Sequence, residues 1–157
     1  MRRGLVLGLV AAASCTPAAG PGSVPAGNAC WPIVPLRIEE RDYGQPWEPV
    51  LTLDAEGRVR RKAGTFGLLA DDKFDMTMGG SLVCLPNRYV EQNGAKTALH
   101  HEPDGALVEG SHRVFVAPDG MVTFVKGGPG AGRVRVIGTL DEGTRRTAAL
   151  LAFAAFL

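Results

Sequence analysis

Beyond residue 30 the chain alternates short apolar stretches with clusters of Gly, Pro, Asn and Asp, and three of those clusters share one chemistry. Asp54-Ala55-Glu56-Gly57 separates Val50-Leu51-Thr52-Leu53 from Arg58-Val59-Arg60. Glu102-Pro103-Asp104-Gly105 separates Ala98-Leu99-His100-His101 from Ala106-Leu107-Val108. Ala117-Pro118-Asp119-Gly120 does the same between Val114-Phe115-Val116 and Met121-Val122-Thr123-Phe124-Val125. In each, Gly takes the last loop position, where a type I turn followed by a left-handed residue closes a hairpin. Pro presets φ at the first central position of two of them. Gly110-Ser111 makes a further two-residue turn. More strands are expected at 34–40, 67–70, 81–85 and 133–139, with the Pro32/Pro35 and Pro46/Pro49 neighbourhoods at strand edges. The pattern predicts a mainly β fold, an antiparallel hairpin meander forming a sandwich or open barrel.

The end of the chain changes period. Asp141-Glu142-Gly143-Thr144 offers a helix cap with early acidic charge, and residues 145–157 contain no Gly or Pro. A helix over 144–157 is therefore expected, packed on the sheet through Leu150, Leu151, Phe153 and Phe156. Residues 114–117 and 121–125 are apolar on both faces, which predicts that these strands need cover on both sides. The alternative for the final helix is a membrane-inserting or partner-binding element, but its apolar run over 148–157 is about half the length a bilayer needs.

The opening residues read as an address. Arg2 and Arg3 precede a short apolar run that shrinks to Ala11-Ala12-Ala13-Ser14 before Cys15, the order of a secretory signal peptide. Ala12-Ala13-Ser14-Cys15 resembles a bacterial lipobox, with Ala12 where Leu is commonest. The resemblance implies cleavage before Cys15 and acylation of its sulfur, which anchors a protein without making it span. Thr16 in place of Asp resembles the outer-membrane sorting default. Residues 1–14 are then a signal peptide. Residues 15–29 form a lipidated Cys with a Pro/Gly/Ala tether, whose 13 or so flexible residues reach about 20 Å. Residues 30–157 form a single β-rich domain.

With Cys15 acylated, two cysteines remain, Cys30 and Cys84, and outside the cytoplasm two leftover thiols commonly pair. A disulfide there closes a loop of about 55 residues and contributes about 4 kcal/mol in the chain-entropy model.

Composition excludes several classes. Apolar residues at 45% and charged residues at 21% rule out a disordered tail, and 17 Lys+Arg against 16 Asp+Glu leave no electrostatic footprint for nucleic acid. His100, Glu102 and His112 can in principle build a two-His, one-carboxylate metal site, although neither a zincin nor a zinc-finger spacing is present. The plainer reading of the three histidines is exposed edge-strand positions. Asp71, Asp72 and Asp75 around Lys73 lack the calcium-loop pattern and read as a solvated turn. Gly127-Gly128-Pro129-Gly130-Ala131-Gly132 is followed by a strand pattern, so it is a hairpin loop and not a phosphate cradle. Ser81 and Ser111 sit in no nucleophile elbow, and no cofactor is implied. Trp31, Trp47, Tyr43 and Tyr89 suit a half-buried rim or a contact surface, Trp31 being expected over the disulfide.

The region after Cys15 loosely resembles lipoproteins of Gram-negative bacteria, myxobacterial ones in particular. They share a lipobox, repeated Asp-Gly hairpins and a basic-then-apolar final helix, here Arg145-Arg146-Thr147-Ala148-Ala149-Leu150-Leu151. The resemblance implies a location in the cell envelope, at the outer membrane, facing the periplasm or the surface. The expected function is a structural or protein-interaction lipoprotein without enzymatic activity, held to the membrane by its lipid and possessing an envelope protein partner. The alternative is a periplasmic small-ligand or metal-binding module.

Overall fold

The computed structural model describes residues 29–157. Twelve strands and one helix follow in order: β1 (Leu36–Glu40), β2 (Glu48–Leu53), β3 (Arg58–Arg61), β4 (Gly64–Ala70), β5 (Lys73–Met76) and β6 (Ser81–Cys84). Then come β7 (Tyr89–Gln92), β8 (Ala95–His101), β9 (Leu107–Glu109), β10 (His112–Val116), β11 (Val122–Val125), β12 (Val134–Gly138) and α1 (Glu142–Phe156). The expected signal peptide, Cys15 and most of the expected tether lie outside the described residues.

The strands form one antiparallel sheet in the order β11-β10-β9-β8-β7-β6-β5-β4-β3-β2-β1-β12. Every strand from β1 to β11 pairs with its neighbours in sequence, which local hairpins dictate. The exception is β12, which crosses to β1 with Ile38 opposite Val136. A bridge between Met121 and Arg135, with the Val136 amide donating to the Gly120 carbonyl at 2.8 Å, brings β11 up to β12 and nearly closes a barrel.

Four hairpins share one geometry, beginning at Asp54, Leu85, Glu102 and Ala117. In each, the first residue's amide bonds to the carbonyl four residues on, and the fourth residue's amide bonds back to the first carbonyl. That fourth residue has positive φ: Gly57, Gly105 and Gly120 in three hairpins, Arg88 in the other. At Gly57 a side chain is excluded twice over, because a Cβ would fall on the Leu69 carbonyl. Two shorter turns, Asp71-Asp72 and Asn93-Gly94, also have both residues at positive φ, as tight two-residue hairpins need.

Alternation along the strands sends Leu51, Leu53, Val59, Leu69, Phe74, Leu82, Val90, Leu99, Leu107 and Val114 inward. Helix α1 starts at the Asp141 cap, whose carboxylate accepts from the Thr144 amide at 2.8 Å while the Thr144 hydroxyl receives the Asp141 amide. From Arg146 to Ala152 every residue is buried, so this stretch is enclosed on all sides rather than resting one stripe on a sheet. It touches β9 and β10 on one side of the β11/β12 seam and β1 and β2 on the other. The helix thus packs against the sheet as a spline behind its weakest joint. Leu150 and Leu151 are fully covered, whereas Phe153 and Phe156 are half-buried, with Phe156 edge-on to Phe124 at 5.5 Å. Among the described residues no helix is long and apolar enough to cross a membrane.

The cover expected on both faces of β10 and β11 exists on one. Val114, Val116 and Val122 face inward, while Val125 is exposed and Phe115 lies under the Arg113 guanidinium at 5.2 Å. A cation over the ring replaces a second packed layer.

Candidate functional site

His100, Glu102 and His112 are held apart by separate partners. His100 stacks on Tyr89 at 5.0 Å on the outer wall, Glu102 pairs with Arg113 at 3.3 Å, and His112 bonds the Lys126 carbonyl. Among the described residues no group of three His, Cys, Asp or Glu side chains is placed to hold a metal ion.

The histidine read as exposed that proves buried is His101, only 5% accessible. Period-2 alternation sends His100 out and His101 in. Its ring completes the hairpin geometry described above. The carbonyls of Gly57, Gly120 and Arg88 accept from the amides of Leu69, Val136 and His101 respectively. The Gly105 carbonyl instead takes a bond from His101 Nδ1 at 3.1 Å. Since Trp31 Nε1 donates to His101 Nε2 at 2.8 Å, Nε2 is the acceptor and Nδ1 carries the proton. Burial, reinforced by the Arg146 and Arg88 charges, lowers the His101 pKa to about 4 against the pull of the Gly105 and Ala106 backbone.

Around this pair the entering arm, residues 29–35, is fastened at several points. Cys30 is bonded to Cys84, across 54 positions in sequence. The turn read as solvated supplies the next fastening. Asp72 is only 7% exposed, and its carboxylate accepts from the amides of Cys30 at 3.1 Å and Trp31 at 2.8 Å. Arg146 donates to the carbonyls of Cys30 at 3.0 Å and Ala29 at 3.2 Å and pairs with Glu142. Burial and the nearby Arg88 charge depress the Arg146 pKa, with Glu142 and Asp141 opposing. The Thr147 hydroxyl donates to Pro32. No buried side-chain N or O among the described residues lacks a partner. The Trp31 indole, expected over the disulfide, is spent on His101. This is a clamp: its polar groups hold chain to chain.

The outer wall carries a different cluster. Trp47 lies within 4.4 Å of the Arg41 guanidinium and 4.3 Å of that of Arg135. Glu39 follows inward-facing Ile38 at a register shift in the β1–β2 pairing, stands opposite Arg135 and is only 5% exposed. It takes hydrogen bonds from Arg37 at 2.7 Å and Arg135 at 2.6 Å. Burial raises the Glu39 pKa, but the bonds and charges of those two arginines outweigh it and hold the carboxyl below its ordinary range. Two adjoining clefts, about 620 and 570 Å³, share Glu48, Pro49 and Val50, and Arg41 of this cluster lines the first. Both are open at the surface, since the barrel's interior is filled by the helix and the arm. The sequence reading offers Trp47 for a half-buried rim or a contact surface. It missed the guanidinium clamp, whose members come from β12 and the β1–β2 loop, far apart in the chain.

The fold and these clusters define a nearly closed β-meander stoppered by its own C-terminal helix. No family model, curated protein or solved structure matches the chain.

Proposed function

We propose that this protein is an exported lipoprotein of the bacterial envelope, anchored through Cys15, whose β-domain serves as a structural or protein-interaction module and not as an enzyme. The observation that carries this reading is the Cys30–Cys84 bond. With Cys15 set aside for acylation, the other two cysteines pair, which suits an oxidising compartment. Two further observations support it. The arm that would follow the tether is locked into the domain from Cys30 onward, so a pull on the leash is borne by a covalent staple. The Trp47–arginine wall beside open clefts suits contact with another macromolecule better than enclosure of a small ligand.

The test is labelling in a bacterial host. Radiolabelled palmitate should appear on the wild type and not on Cys15→Ala, and the variant should leave the membrane fraction. An unlabelled wild-type chain that stays whole in the cytosol would overturn the reading.

A further inference from the structure

Because the strands form an antiparallel meander, successive loops fall alternately at the two ends of the barrel. The end holding the arm and the start of α1 receives loops 54–57, 71–72, 85–88, 102–106, 117–121 and 139–141. These carry eight carboxylates against one cation, Arg88. The opposite end receives loops 41–47, 62–63, 77–80, 93–94, 110–111 and 126–133, which carry Arg41, Lys62, Lys126 and Arg133 against Asp42 alone.

The acidic rim has a structural explanation. Asp54, Asp104 and Asp119 each accept an amide two residues on, at 3.0, 2.9 and 3.0 Å, which is ordinary turn chemistry. Asp72 fastens the arm and Asp141 caps the helix. On the basic rim, Arg133 pairs with Glu40 and Asp42 and donates to the Arg41 carbonyl, and Arg41 lies over Trp47, but the two lysines have no such explanation. Lys62 and Lys126 form no ion pair among the described residues, and no turn geometry demands a lysine. The two most exposed large apolar side chains sit among these cations: Tyr43 at 102% and Met78 at 92%. Leu157 and Val125, also exposed, lie at the same end. The loops bearing Lys126, Arg41 with Tyr43, Lys62 and Met78 are consecutive around the barrel, so they form one continuous half-rim.

We propose that this half-rim docks on an anionic lipid surface, with Tyr43 and Met78 entering the headgroup layer and Lys62, Lys126 and Arg41 facing lipid phosphates. Tyrosine and cations together suit a membrane interface, where an amphipathic ring and a phosphate lie at one depth. A second copy's acidic rim matches the charge but not the apolar tips: its exposed large apolar residues, Tyr89 and Ile137, are 46% and 41% accessible and stand on strands beside the loops, whereas Tyr43 and Met78 stand in the loops themselves. The inference goes beyond the anchor, because it concerns which end of the domain meets the bilayer and stands whether or not Cys15 is acylated.

The test places one reporter tryptophan at either end of the barrel in the full chain, Tyr43→Trp or Asn87→Trp, each with Trp47→Phe, and subtracts the emission of the buried Trp31 measured in Trp47→Phe alone. The readout is emission with vesicles of phosphatidylglycerol or phosphatidylcholine carrying brominated chains. On phosphatidylglycerol, position 43 should blue-shift and be quenched while position 87 is not. Adding Lys62→Glu and Lys126→Glu should weaken that quenching at least about tenfold. Circular dichroism and urea midpoints equal to the parent's establish that each variant is folded. An unquenched position 43, or quenching at 87 instead, overturns the proposal. So does salt-sensitive head-to-tail association without quenching, which assigns the rim to a second copy. The anchor is read separately, from loss of phosphatidylcholine binding by Cys15→Ala, so the two readings fail independently.

Discussion

Lowering the pH should loosen the clamp at one imidazole before it touches the carboxylates. In the folded chain His101 titrates near 4, against an ordinary value of 6.5. Its Nε2 is committed as acceptor to the Trp31 indole, so a second proton there breaks a buried hydrogen bond and places a charge near Arg146 and Arg88. A depressed histidine pKa means that the unfolded chain binds more protons between about 4 and 6.5. Stability is therefore full above about 6.5 and is lost as pH falls towards 4. The shift of about 2.5 units corresponds to about 3 kcal/mol, of which about 2–3 kcal/mol is gone by pH 4.5. That is a large share of a domain's usual 5–15 kcal/mol. Glu39 and Asp141, whose pKa values are lowered, contribute stability that is lost only at more acidic pH, through their own depressed values. The assay is non-reducing urea unfolding followed by tryptophan emission at pH 7.5, 6.5, 5.5 and 4.5, for wild type and His101→Gln. Glutamine can accept from Trp31 and donate to Gly105 without titrating. The wild type should lose about 2–3 kcal/mol more than the variant across this range. Parallel pH profiles, or a His101 proton resonance titrating near 6.5, would refute the argument.

Other consequences follow from the same contacts. Asp72→Ala leaves the Cys30 and Trp31 amides buried without acceptors, and should lower unfolding free energy by about 2–4 kcal/mol. A loss below about 0.5 kcal/mol by urea titration would mean that water replaces the carboxylate. Gly120→Ala should cost several times as much as Gly105→Ala: both have positive φ, but only at Gly120 does a Cβ collide with a backbone carbonyl, that of Val136. Equal shifts in melting temperature would contradict the steric account. Reduction, or Cys30→Ser with Cys84→Ser, should lower stability by about 4 kcal/mol through the freed loop. Leu150→Ala in the enclosed part of α1 should cost about 2–5 kcal/mol, and calorimetry showing less would mean that this stretch is not packed on all sides.

The elements that were legible in sequence are the local ones. The three Asp-Gly or Glu-Gly hairpins, Gly110-Ser111, the capping residues and the final helix all depend on residues a few positions apart, where turn and cap chemistry is strongly residue-specific. The pairing of Cys30 with Cys84 was reachable by counting thiols. Asp72 and His101 were misread because their type suggests exposure, whereas Asp71 beside them is exposed in its turn. Nothing within ten residues of Asp72 reveals the two arm amides that it serves from about 40 positions away. Arg88, standing where its sister hairpins have Gly, offered no signal at all in sequence.

What the sequence by itself determined is therefore a chain of hairpins with a capped helix at the end, together with the partition of each strand into an inner and an outer face. Only the tertiary structure decided that β12 crosses to β1 and that the helix backs the seam thus formed. It also decided that Trp31 reaches His101, and that the acidic and cationic loops collect at opposite rims. The reason is range. A turn's geometry is settled by backbone sterics within four residues, whereas closure and enclosure arise from contacts between distant segments, which no local preference encodes.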